Sequence, residues 1–172
     1  MNKKIIFFIM TVLYINVYSL YNYMVSNSFA SDFVNKLNIS FIIIIGIGLV
    51  FNLFTLVVLV NLNWLATSLG ITYIKGSSIS EYTEISKSDY YITYFVYYTI
   101  HFIIITMILA LNVTNNLETF QFILKVSNII AIILISITLG LYMFKRKALN
   151  KISTSGLVII NVGNLIYATY FM

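Results

Sequence analysis

The chain has 172 residues, 60% of them hydrophobic and only 9% charged, with a net charge of +5. Soluble domains carry roughly a quarter charged residues, and a chain this small cannot hide so much apolar surface from water, so a water-soluble globular fold is excluded and the bilayer becomes part of the solvent. The sequence holds no cysteine and no proline, which excludes disulfides, thiolate metal sites and thiol nucleophiles and makes continuous helices the expected form of each span.

A membrane-crossing helix needs about 20 mostly apolar residues. The first such stretch follows Lys3 and Lys4 and runs over 5–25. Ser28, Phe29 and Ala30 before Ser31 have the look of a secretory cleavage site, but the apolar run is longer than a signal core, so a retained helix is expected. The second span covers 40–62 and lies in a charge-free run of 38 residues between Lys36 and Lys75. As one helix that run would measure about 57 Å, nearly twice the hydrocarbon thickness. The span is therefore expected to end near Asn61, Asn63 and Trp64, since Trp prefers the interface. Leu65 to Ile74 then lies along the membrane surface or folds back, with Gly70 and Gly76 as breaks.

The connector from Lys75 to Asp89 holds three of the five acids, Glu81, Glu84 and Asp89. Ser78 or Ser80 is placed to cap a helix start there. The remaining spans are 90–112, 121–144 and 156–172. The expected architecture is a single-domain, all-α integral membrane protein, a bundle of about five transmembrane helices.

Its orientation follows from the cations. With the N-terminus inside, Lys3, Lys4, Lys75, Lys87, Lys145, Arg146, Lys147 and Lys151 face the cytoplasm, and Lys36 and Lys125 face out, 8 against 2. That is the asymmetry of the positive-inside rule. It places the C-terminus on the extracytoplasmic side and accounts for the basic charge without a nucleic-acid partner, for which no clustered basic domain exists. Richness in Ile, Asn, Lys, Tyr and Phe fits an AT-rich genome and hence a bacterial cytoplasmic membrane. Tyr18, Tyr21 and Tyr23, Tyr82, Tyr90, Tyr91 and Tyr94, Tyr142 and Phe144, and Tyr167, Tyr170 and Phe171 fall near span ends, which reads as aromatic belts at headgroup depth.

Intramembrane polar residues are functional candidates by default. Here they are His101, the sole histidine, at the centre of the third span, with Asn16, Asn52, Asn128 and Asn164 at comparable depth. A lone histidine with no acid at its depth makes a poor proton relay, so hydrogen bonding between helices is its expected role. Ser127 and Ala131, Ser136 and Gly140, and Gly156 and Gly163 have spacings that allow close helix packing. Enzyme chemistry is not expected. The acids lie in loops or at helix ends, no metal-ligand cluster or Ser-His-Asp set is visible, and no phosphate-binding loop occurs. No cofactor is implied, and any use of ATP must come from a partner.

From about Ser40 onward the chain resembles the Yip family of five-span membrane proteins. The likeness rests on the helix followed by Leu65-Ala66-Thr67-Ser68-Leu69-Gly70 and Gly76-Ser77-Ser78-Ile79-Ser80-Glu81, and on the basic connector Gly140-Leu141-Tyr142-Met143-Phe144-Lys145-Arg146-Lys147-Ala148-Leu149. The topology is the third shared feature. The family often carries proline in its third span, and this chain does not. Bacterial members accompany ABC-type efflux pumps, including pumps that protect against antimicrobial peptides. The resemblance thus implies an accessory membrane subunit with ABC permease and ATPase partners and a hydrophobic peptide as a compatible ligand. Two other roles fit the composition: a stand-alone bacteriocin immunity protein, and the substrate-binding membrane component of a vitamin importer. The latter resemble one another in an Ala-x-x-x-Ala motif, and Ile5 to Val25 lacks alanine and glycine altogether. Charged candidates for partner docking are the acidic Glu81 and Glu84 and the basic Lys145, Arg146 and Lys147, the basic set also suiting anionic lipid.

Overall fold

A computed structural model of the chain describes residues 2–29, 41–75, 86–111, 116–146 and 150–170. Among them every regular element is a helix: α1 (Lys3–Phe29), α2 (Phe41–Lys75), α3 (Lys87–Ala110), α4 (Leu117–Lys145) and α5 (Lys151–Tyr170). All five are long and apolar enough to cross a membrane, the arrangement of a multi-pass membrane protein. The helices form a ring in the order α1, α3, α4, α5, α2, with the broadest interfaces between α1 and α3 and between α2 and α5. Within the ring α3 also touches α2. Of its most apolar stretch 39% is buried, against 6% for α2, so α3 is the most enclosed of the five helices and α2 presents most of its surface outward.

Antiparallel packing gathers the cations. Lys3 and Lys4, Lys75, Lys87, Lys145 with Arg146, and Lys151 all lie at one end of the bundle, and Lys125 lies toward the other. At this basic end Lys3 Nζ sits 2.9 Å from Asp89 Oδ2. Tyr142 Oη donates to the same oxygen at 2.5 Å. One carboxylate thereby joins the start of α1, the start of α3 and the end of α4. Lys87 Nζ lies 5.1 Å above the Trp64 ring, and the Arg146 guanidinium 5.7 Å above the Tyr142 ring, both within cation–π range.

The second helix departs from the expectation that it stops near Trp64. It continues unbroken for 35 residues, about 52 Å at 1.5 Å per residue. Gly70 does not break it, because glycine serves a different purpose there. A Cβ at Gly70 would lie 2.7 Å from Ser153 Cβ and 2.9 Å from Ser153 N, and one at Gly156 would lie 2.6 Å from Ala66 Cβ. The two glycines let the α2 and α5 backbones close on each other, as small residues do in membranes. The stretch past Trp64 is thus held by tertiary contacts and has no proline to end it. Of the other small residues, Ala131 is buried, whereas Gly140 and Gly163 have open space where a Cβ would be.

One stripe of α2 explains its packing. Asn52, Leu56, Val60, Asn63, Thr67 and Gly70 recur at spacings of three and four and so share a face. On α5 the matching stripe is Ser153, Leu157, Asn161, Asn164 and Ala168. The largest core cluster joins Tyr14 and Tyr18 of α1 to Leu56 and Val60 of α2, Tyr90, Tyr94, Phe95 and Phe102 of α3, and Ile135, Leu139 and Met143 of α4. A smaller cluster of Ile105, Leu109 and Phe120, packed against Met24, Val25 and Phe29, ties α1, α3 and α4 at the end away from the cations.

Candidate functional site

The polar residues of the interior fall into two groups along the bundle. Toward the basic end they pair with one another. Tyr90 Oη donates to Thr67 Oγ1 at 2.8 Å, and Thr67 Oγ1 donates to the Asn63 carbonyl at 2.9 Å. Asn63 Nδ2 donates to Tyr94 Oη at 2.8 Å and to the Leu59 carbonyl at 3.0 Å. Asn63 Oδ1 accepts from Asn161 Nδ2 at 3.0 Å. Asn63, Thr67, Tyr90 and Tyr94 are all 0% exposed. This network joins α2, α3 and α5 and is close-packed, leaving Asn161 Oδ1 at its edge without a partner.

Away from the basic end the same helix faces border a partly open cavity of about 130 Å³. All five helices contribute to it. Tyr14, Tyr18 and Tyr21 come from α1, which presents them at i, i+4 and i+7. Asn52 and Thr55 face it from α2, His101 and Phe102 from α3, Asn128 from α4, and Asn164 and Tyr167 from α5. Tyr98, Leu56, Leu59 and Leu124 complete the wall, so the lining carries no acidic or basic chain beyond the imidazole. Phe102 is the hub of its aromatic side, with ring centroids 4.8 Å from Tyr18, Tyr21 and His101 and 6.1 Å from Tyr14. Tyr167 lines the cavity and is also 44% exposed at the bundle surface.

Several lining groups are held in place by neighbours. His101 is 4% exposed, and its Nδ1 lies 2.8 Å from Ser127 Oγ, an α3 to α4 hydrogen bond. Tyr14 Oη donates to Asn52 Oδ1, linking α1 to α2. Tyr18 Oη donates to the Gly48 carbonyl at 3.1 Å. Asn164 of α5 faces Tyr98 of α3 across the wall, within side-chain hydrogen-bonding reach.

Four of the five intramembrane polar residues singled out from sequence, His101, Asn52, Asn128 and Asn164, are thus brought to one cavity. Asn16 is not. It stands two residues from both Tyr14 and Tyr18, about 200° round the helix, is exposed, and donates to the Val12 carbonyl of its own turn at 2.7 Å. Lys145 is exposed and Arg146 half-buried at the basic end. Glu81, Glu84 and Lys147 lie outside the described residues.

The tyrosines are where sequence and structure part. Tyr18, Tyr21, Tyr90 and Tyr94, read as interfacial anchors, lie inside the bundle: Tyr18 and Tyr21 line the cavity, and Tyr90 and Tyr94 are fully buried. Depth along a span says nothing of which way a side chain faces, and these hydroxyls find partners in the interior. Tyr23, at 47% exposure, does face outward, and Tyr167, at 44%, borders both the surface and the cavity. Tyr14, Tyr98 and Phe102 were missed as cavity residues. The signal available was helical spacing, since Tyr94, Tyr98, His101 and Phe102 share one side of α3.

Among the described residues no group of three or more His, Asp or Glu side chains is placed to hold a metal ion. No family model, characterised protein or solved structure matches the chain.

Proposed function

We propose that this chain is a non-catalytic, membrane-embedded binding subunit that captures a small amphipathic molecule, or one side chain of a hydrophobic peptide, and works as an accessory to an ABC-type efflux complex. The observation that carries the reading is the cavity of about 130 Å³ to which all five helices contribute. Concave sites with a mostly apolar wall and a few convergent polar groups are where small ligands usually bind, and this one brings His101, Asn52, Asn128 and Asn164 to a wall of aromatic rings. Tyr167, exposed and in the lining, gives a lateral route from the bilayer.

The accessory role rests on other support. The sequence has no phosphate-binding loop, so transport needs an ATPase supplied by a partner, and the resemblance to the Yip family points the same way. The charge asymmetry sets the basic end in the cytoplasm, where an ATPase would be. A whole-vitamin site is less well supported, because drug-sized ligands occupy pockets of roughly 300–1,000 Å³.

The test is purification of the untruncated chain from its native membrane in mild detergent. Recovery of an ABC ATPase and permease at fixed stoichiometry is expected, together with a small molecule or peptide that Thr55→Phe, which fills the cavity, displaces. A chain recovered alone but still carrying its ligand favours the stand-alone immunity protein. A chain with neither partner nor ligand contradicts the proposal.

A further inference from the structure

At the end of the bundle away from the cavity, we infer a docking surface for anionic lipid headgroups, with Lys87 and Arg146 as its fixed contact points. This surface stands whether or not the cavity takes a ligand. Three observations converge on it.

Charge comes first. Among the described residues the basic end holds Lys3, Lys4, Lys75, Lys87, Lys145, Arg146 and Lys151 against one acid, Asp89. Asp89 is already engaged, by Lys3 at 2.9 Å and by Tyr142 at 2.5 Å. It offsets Lys3 and none of the other cations. Further along the bundle, Lys125 is matched in number by Glu118, so the uncompensated charge belongs to one end.

Placement comes second. Each of the five helices brings a cation to this end, so the charge rings the bundle and does not gather on one face. A folded acidic protein or a nucleic acid would cover only part of such a ring. A leaflet surrounds a membrane bundle on every side, and its phosphates lie where the helices leave the hydrocarbon. Basic groups at that depth attract anionic lipid.

The pose of two side chains comes third. Lys87 Nζ rides 5.1 Å above the Trp64 ring, and the Arg146 guanidinium 5.7 Å above the Tyr142 ring. Trp and Tyr prefer interface depth, and each ring holds its cation there. Among the described residues neither cation pairs with a carboxylate. The ring takes one side of each cation, and the N–H donors on the other side suit phosphate oxygens. A long side chain fixed in advance also loses less freedom on contact.

Trp64 is the sole tryptophan and lies under Lys87, so its fluorescence reports the lipid at that point. The full chain is reconstituted in equal mixtures of phosphatidylglycerol and phosphatidylcholine, with quenching bromine on the acyl chains of one lipid or the other. Brominated phosphatidylglycerol should quench Trp64 the more strongly at low salt, and the preference should shrink at high salt, where charges are screened. Lys87→Gln should lower the relative affinity for phosphatidylglycerol about fivefold, the value of one cation near an anionic leaflet. Lys87→Arg should keep the preference, and Lys125→Gln, far from Trp64 along the bundle, should leave it unchanged. Equal quenching by the two lipids, a preference indifferent to salt, or an equal loss from Lys125→Gln and Lys87→Gln would each overturn the inference. If neither lipid is preferred while soluble polyglutamate shifts the Trp64 emission in a salt-dependent way, the basic end docks an acidic protein and the lipid assignment falls.

Discussion

The two halves of the bundle use the same residue types to opposite ends. Near the cations, Asn63 and Asn161 are paired across helices, and Gly70 and Gly156 draw α2 and α5 into backbone contact. About one turn further along α5 and three turns further along α2, Asn164 and Asn52 border open space. An amide between helices is therefore not a site in itself. Where small residues allow the backbones to close it acts as a cross-link, and where bulky groups stand opposite it becomes part of a wall. The packed half fixes the helices against one another, and the cavity half inherits that geometry as a preformed pocket. Preorganisation of this kind lowers the cost of binding.

This contrast breaks most severely at the glycine contact. Gly70→Leu places new atoms where Ser153 already lies within 2.9 Å, and overpacking should cost up to about 3 kcal/mol. The thermal unfolding midpoint in mild detergent should fall sharply. Gly163→Leu, on the same helix pair but facing open space, should leave the midpoint unchanged or raised, because glycine is a poor helix former. Equal losses from the two would mean that close approach at Gly70 is not what holds the packed half.

A smaller effect is expected at Asn63→Leu. It strips Tyr94 Oη and Asn161 Nδ2 of a partner. Interhelical hydrogen bonds in membranes average about 0.6 kcal/mol, and unpaired buried groups add to that, so a loss of about 1–2 kcal/mol should appear in the same assay. At the far side of the comparison, Asn164→Leu removes one contact to Tyr98 at the cavity wall and should cost less than Asn63→Leu. Asn16→Leu should do nothing measurable, since Asn16 is exposed and bonded only within its own turn. A ranking in which Asn164→Leu costs more than Asn63→Leu would erase the distinction between the halves.

The sequence carried the outline well and the facing poorly. Helix number and approximate limits follow from hydropathy and length, because the membrane imposes one physical requirement on every span. His101, Asn52, Asn128 and Asn164 were found by depth alone, and the structure brings them to one cavity. Depth also selected Asn16, which faces away, and it assigned Tyr90 and Tyr94 to belts although both are fully buried. Facing depends on azimuth around the helix, and in a membrane the lipid side is as apolar as the core, so hydrophobic periodicity is weak. Polar spacing survives that loss. The α2 stripe from Asn52 through Asn63 and Thr67 to Gly70 marks the inward side along the whole helix. The continuation of α2 beyond Trp64 depended on Ser153 and Tyr90 of other helices, and no local signal encodes such contacts.

The most direct test of the division uses the absence of cysteine from the chain. Single cysteines at Thr55 and at Thr67 occupy the same helix, one in the cavity wall and one in the packed network at 0% exposure. Their reaction rates with a small, neutral, membrane-permeant thiol reagent can be compared in intact membranes. Thr55→Cys should react readily, and Thr67→Cys should stay unreactive. Equal reactivity at the two positions would contradict a bundle built as one packed half and one half that holds a cavity.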